Sequence, residues 1–249
     1  MNGVVEQLAL GVAASAIAGS AVWGYQQLRT GSRIRTERSF LGLPMKGAHP
    51  IRIIVGDQAG TTGQVNRTDM AAVFELAFLL RNTGAAVDLQ TAEEARVRRA
   101  DDTEFCVGGP HSNTRTAAAI RRHFPGLVFP PFDPINGTHW TLSVGKRRLL
   151  GVKGQVEYVM LARIQRTGRP HLFIVAGQAA VANHAAAAYF AQEVPSLRRR
   201  FGDTSTFCLG LRVLDSKIYG HHEVEELADL TAEAQGHDPE EERGAAAAE

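Results

Sequence analysis

Residues 104–124 read EFCVGGPHSNTRTAAAIRRHF, and this stretch decides the fold. EFCV is a short apolar run of the kind that forms a buried strand. Two glycines turn the chain, Asn113 or Thr114 stands ready to cap a helix, and TRTAAAIRRHF follows with helical spacing. A strand that runs through a tight turn into a helix is half of a βαβ unit.

The same pattern recurs on both sides. IRIIVGD (51–57) is a β-branched run ending in glycine, followed by the loop QAGTTGQVNRT (58–68). Asp69 is placed to cap the helix MAAVFELAFLLRNTG (70–84), which Gly84 closes. AAVDLQTA (85–92) predicts a second strand and EEARVRRAD (93–101) a short exposed helix. Further on, HWTLSVGKRRLLGV (139–152) and QVEYVMLARIQRTGRPHLFIVAG (155–177) carry hairpin signals at VGKRR and RTGRP. The helix AAVANHAAAAYFAQEV (179–194) follows, with Pro195 marking its end or a kink. TFCLGLRVL (206–214) reads as the final strand. The fold class expected is α/β: one mixed sheet, parallel and Rossmann-like in its first half, with antiparallel strands in the second half.

The N-terminus adds a different element. LALGVAASAIAGSAVWGY (8–25) has no charged residue and approaches the ~20 residues a bilayer core requires. Trp23 and Tyr25 close it, and Arg29, Arg33, Arg35 and Arg38 follow, so the downstream chain is expected on the cytoplasmic side of the cell membrane. Gly11, Ser15 and Gly19 lie on one helix face, a spacing that permits close packing of two spans into a homo-oligomer. Residues 1–28 are thus expected to form a single-pass transmembrane anchor and 29–50 a basic juxtamembrane linker. Residues 51–231 form the α/β domain, and the acidic, alanine-rich 232–249 a disordered tail.

Composition excludes more than it selects. The chain has 249 residues, 44% hydrophobic and 21% charged, with a formal net charge of +1. That balance gives no argument for nucleic acid, which would want a larger basic face with exposed aromatics than the sequence offers. The two cysteines, Cys106 and Cys208, sit in apolar runs and suggest buried thiols rather than a disulfide framework. No P-loop, GxSxG elbow or GxGxxG fingerprint occurs. No metal is expected: His221 and His222 are adjacent, and neighbours on a strand point to opposite faces.

What remains is an edge. Strands ending at Gly56, at Gly108 and Gly109, and at Gly177 each run into a helix start. In an open parallel sheet such C-terminal ends share one crevice, where helix N-termini favour anions. The candidate binding residues are Gly56, Asp57, Thr61, Thr62 and Asn66 in the first turn. Gly108, Gly109, His111, Ser112, Asn113 and Arg115 belong to the second, and Gly177, Gln178 and Asn183 to the third. Glu75, a lone carboxylate among apolar neighbours, and His184, a lone imidazole among alanines, are the catalytic candidates. Two functions follow. One is a membrane-anchored module that binds a nucleotide-like or other anionic ligand as a sensor or interaction protein, with no cofactor specified. The alternative is a hydrolase of N-glycosidic bonds in nucleotides or NAD that uses Glu75.

The anchor makes a direct prediction. In membrane fractionation with an alkaline wash, the full chain should stay with the membrane and a chain starting at residue 29 should be released; release of both removes the anchor.

Overall fold

The computed structural model describes residues 31, 33–43, 50–58, 63–97, 102–131 and 139–237. Within them the chain forms one mixed ten-stranded sheet with helices on both faces. Four strands are mutually parallel: β1 (Pro50–Val55), β2 (Ala86–Thr91), β3 (Glu104–Val107) and β8 (Arg169–Gly177). They lie in the order β2-β1-β3-β8. The antiparallel part follows: β7 (Val156–Arg166) pairs with β8, β9 (Phe207–Leu214) with β7, and β10 (Val224–Asp229) with β9. A three-stranded arm, β4 (Leu127–Val128), β5 (His139–Val144) and β6 (Arg147–Val152), branches from the start of β7 through the pair Val152↔Val156.

Side chains alternate between the two faces, as the pleat requires. Ile53, Val55, Phe105, Val107, Phe173 and Val175 enter one core, beneath helices α2 (Arg67–Asn82) and α4 (Ala180–Phe201). Ile54, Cys106, Ile174 and Cys208 enter the other, beside α3 (Thr114–His123). Phe105 and Phe173 are register partners and stack at 4.4 Å. Both cysteines are free and buried, and burial raises their thiol pKa values, so neither is poised to react.

Several expectations need correction. The stretch expected as a linker contains a docked helix, α1 (residues 33–40), which carries Phe40, Leu41 and Leu43 into the first core. The basic residues hid this apolar plug in the sequence. Arg163, fully buried on β7, fixes it: its guanidinium lies 4.5 Å from the Phe40 ring and donates to the carbonyls of Phe40, Ser205 and Gly202. Burial pulls the Arg163 pKa down to about 10, so it stays charged at neutral pH. Helix α2 starts earlier than expected, because Asn66 rather than Asp69 caps it. Helix α4 passes through Pro195 and runs on to Phe201, held by buried Leu197 and by Phe201 stacked on Phe207. The strand β9 is not the last. After the short helix α5 (Ser216–Tyr219), β10 and helix α6 (Thr231–Ala234) continue the domain, with Leu230 and Ala234 fully buried, so packing extends beyond residue 231.

Among the described residues no helix is long and apolar enough to cross a membrane. The span expected at residues 8–25, with Gly11, Ser15 and Gly19, lies outside them.

Phe40 ties α1 to the sheet through Phe173 and Phe207 and to α4 through Phe190. Truncating Phe40→Ala should therefore cost about 3–5 kcal/mol in urea unfolding. A change below about 1 kcal/mol would mean that α1 is only loosely held.

Candidate functional site

Strands β1, β3 and β8 are neighbours and parallel, so their C-terminal ends lie side by side. The glycines at those ends allow the turns to touch. A Cβ on Gly56 would lie 2.6 Å from Ser112 Oγ, and one on Gly109 would lie 2.7 Å from the Gly177 carbonyl oxygen. Gly108 has φ +111, a conformation side chains rarely adopt. The backbone joins the turns as well: Asp57 N–H donates to the Ser112 carbonyl and Gly108 N–H to that of Val175, both at 2.9 Å.

Above these turns lies a cavity of about 690 Å³, within the range of small-molecule sites. From the sequence candidates it gathers Asp57, Asn66, Gly109, His111, Ser112, Gly177, Gln178 and Asn183. Thr61 and Thr62 lie outside the described residues. Gly56 and Gly108 do not line it and act through close packing instead.

Asn113 and Arg115 do not line the cavity either. The Asn113 amide nitrogen donates to the carbonyls of Ile54 and Val107, while its oxygen accepts from the N–H groups of Arg115 and Thr116. Every polar position of that buried side chain serves the fold. Arg115 turns instead to Glu104, a fully buried carboxylate that Arg52 and Arg166 also approach, at 3.6 and 3.5 Å. A buried carboxylate needs such partners, so this cluster is structural.

Glu75 and His184 face each other outside the crevice. They pair across α2 and α4 at 3.7 Å, and the His221 ring stacks on His184 at 3.7 Å between centroids. Burial lowers the pKa of both imidazoles; for His184 the neighbouring Glu75 opposes the effect, and for His221 its two histidine neighbours add to it. His221 and His222 occupy a turn before β10, not a strand, and their rings lie 3.9 Å apart rather than on opposite faces.

The cavity also holds Asp69, expected only as a helix cap, and four residues that were not candidates: Phe129, Trp140, Lys153 and Glu157. Glu157 is 1% exposed; its Oε1 accepts the Gly154 N–H at 2.9 Å, and its Oε2 has no partner among the described residues. The same holds for Asp57 Oδ1, Gln178 Nε2 and Trp140 Nε1. A carboxylate in the apolar run VEYVMLARI was the signal for Glu157, the same kind of signal that had singled out Glu75. Trp140 has room because its cross-strand partner is Gly151, where a Cβ would lie 2.4 Å from the indole nitrogen.

One polar chain organises the floor. Asn183 accepts the Gly177 N–H at 2.7 Å and donates to Asp69 Oδ1 at 2.8 Å, joining β8, α4 and α2. Burial raises the Asp69 pKa, and the Asn183 hydrogen bond only partly offsets it. Helix α4 begins in the wall without a side-chain cap, which leaves its first N–H groups to a ligand or to water. Together these groups can accept from hydroxyls, donate to an anion and cover a planar ring with Phe129 and Trp140. No protein-family model matches the chain, and no curated protein sequence matches it either.

The raised Asp69 pKa fixes a sign. Its stabilising contribution is complete below the unfolded value near 3.8 and is lost as pH rises through the folded value. Asn at this position keeps the acceptor for Asn183 without the charge. Asp69→Asn should therefore raise the denaturation midpoint at pH 7 and leave it unchanged at pH 3. A lower midpoint at pH 7 would overturn this account of the floor.

Proposed function

We propose that the domain binds a nucleotide-like ligand in this cavity, and that it works as a sensor or interaction module tethered to the cytoplasmic face of the membrane by residues 8–25. One observation carries the reading. The cavity at the C-terminal edge of the parallel strands combines unpartnered acceptors and donors with two aromatic side chains and an uncapped helix start. Ribose hydroxyls match the carboxylates, a base matches the aromatic pair, and a phosphate matches the start of α4.

Charge narrows the ligand. Asp57, Asp69 and Glu157 stand against the single ammonium of Lys153 in the lining, so a densely charged triphosphate is repelled. A nucleoside monophosphate, or a dinucleotide such as NAD with its charge spread, suits the lining better. Glu75 lies outside the cavity and does not support the hydrolase reading.

Native mass spectrometry of residues 29–249 with a mixture of nucleotides and NAD tests the proposal. Retention should follow the order monophosphate or NAD above triphosphate. Glu157→Gln should weaken it by roughly 10- to 100-fold, the scale of a lost charge-assisted hydrogen bond. No retention of any nucleotide defeats the reading. Consumption with release of free base would instead make the domain a hydrolase that works from the carboxylates of the cavity.

A further inference from the structure

The cluster at the far side of the α2–α4 contact bears on a second site. Glu75 on α2, His184 on α4 and His221 in the turn between α5 and β10 each place one ligand atom within 4.8 Å of the other two. These side chains come from three separate segments of the chain and converge on one point. The donor set is two imidazole nitrogens and one carboxylate oxygen, a borderline combination that selects zinc and its first-row neighbours over calcium or magnesium.

We propose that Glu75, His184 and His221 bind one divalent zinc-type ion per chain. Tetrahedral zinc holds its nitrogen and oxygen ligands about 2.0–2.2 Å from the metal, which separates the ligand atoms by roughly 3.3 Å. His184 Nε2 and Glu75 Oε1 stand at 3.7 Å, and the two rings stack at 3.7 Å with 23° between their planes. The three ligand atoms lie within 4.8 Å of one another, so shifts of up to about 1.5 Å, with the stacked rings turned until their in-plane nitrogen lone pairs converge, close the set at this half-open surface. The fourth position belongs to solvent, since Glu75 is 40% exposed at its side chain.

The ion would clamp α2 and α4, whose first turns line the cavity, to the turn before β10. Asn183, the residue before His184, already bonds Asp69, about one and two-thirds turns before Glu75 on α2. A metal at the second rung fixes the same helix pair further along and adds the turn before β10. The inference does not depend on the nucleotide reading, because none of its ligands lines the cavity.

Equilibrium dialysis of the full chain against Zn2+ at pH 7, with bound metal counted by elemental analysis and thermal unfolding followed with and without Zn2+, tests the site. The expected result is one zinc per chain and a raised Tm, as binding to the folded state alone requires. Glu75→Gln and His221→Ala should each weaken binding by more than the roughly 10- to 100-fold typical of losing an outer-shell partner, and should remove the Tm rise. If His221→Ala fails to fold, the isosteric and part-exposed Glu75→Gln decides alone. A chain that retains no zinc, or variants that bind it as tightly as the parent, overturn the proposal.

Discussion

The arrangement rests on the side chain of Asn113. Its four hydrogen bonds hold the ends of β1 and β3 together and start α3 at the same point. Each such bond contributes about 1 kcal/mol net, but leaving two strand-end carbonyls buried and unpaired would cost more. Because the amide sits between the strands, the turns after β1 and β3 are forced into contact, and only glycine fits at Gly56; Gly109 in turn abuts Gly177 at the end of β8. Asn113, a candidate both for the helix cap and for ligand binding, caps α3 and fixes the edge on which the cavity opens.

A second buried polar group fixes the opposite side of the core. Arg163 has no carboxylate within salt-bridge distance among the described residues; it is satisfied by carbonyls and by the faces of Phe40 and Phe207. Carbonyls at the end of α4 and in the loop beyond it, together with the ring of α1, thus surround one cation. This suits arginine, whose planar fork reaches several acceptors at once, and would not suit lysine. It also explains how a segment rich in arginine can belong to the domain: its charges stay at the surface while Phe40, Leu41 and Leu43 go in.

The helix pair α2–α4 links the floor of the cavity to the histidine cluster. Asp69 meets Asn183 at one level, and Glu75 meets His184 at the next. Both contacts put a carboxylate of α2 against a polar residue of α4, in a pair whose other facing residues, such as Ala72, Leu76, Ala182 and Ala186, are apolar. Whatever binds at one rung therefore acts on the same two helices as whatever binds at the other. In the upper rung the carboxylate is buried and its charge disfavoured; in the lower it is open to solvent.

Much of this was legible without coordinates. Alternation of β-branched runs with helical periodicity dictated a parallel sheet, and parallel strands bring their C-terminal ends to one edge, so the position of the cavity followed from local pattern alone. Local pattern could not say which polar groups the fold would consume. Asn113 and Arg115 are spent on strand carbonyls and on Glu104, while Glu157 and Trp140, from strands beyond the parallel half, keep unpartnered atoms in the lining. Nor could it bring Glu75, His184 and His221 together, or dock α1 onto Arg163. Those outcomes depend on contacts between residues tens to more than a hundred positions apart, and only the packed tertiary structure determines which of them form.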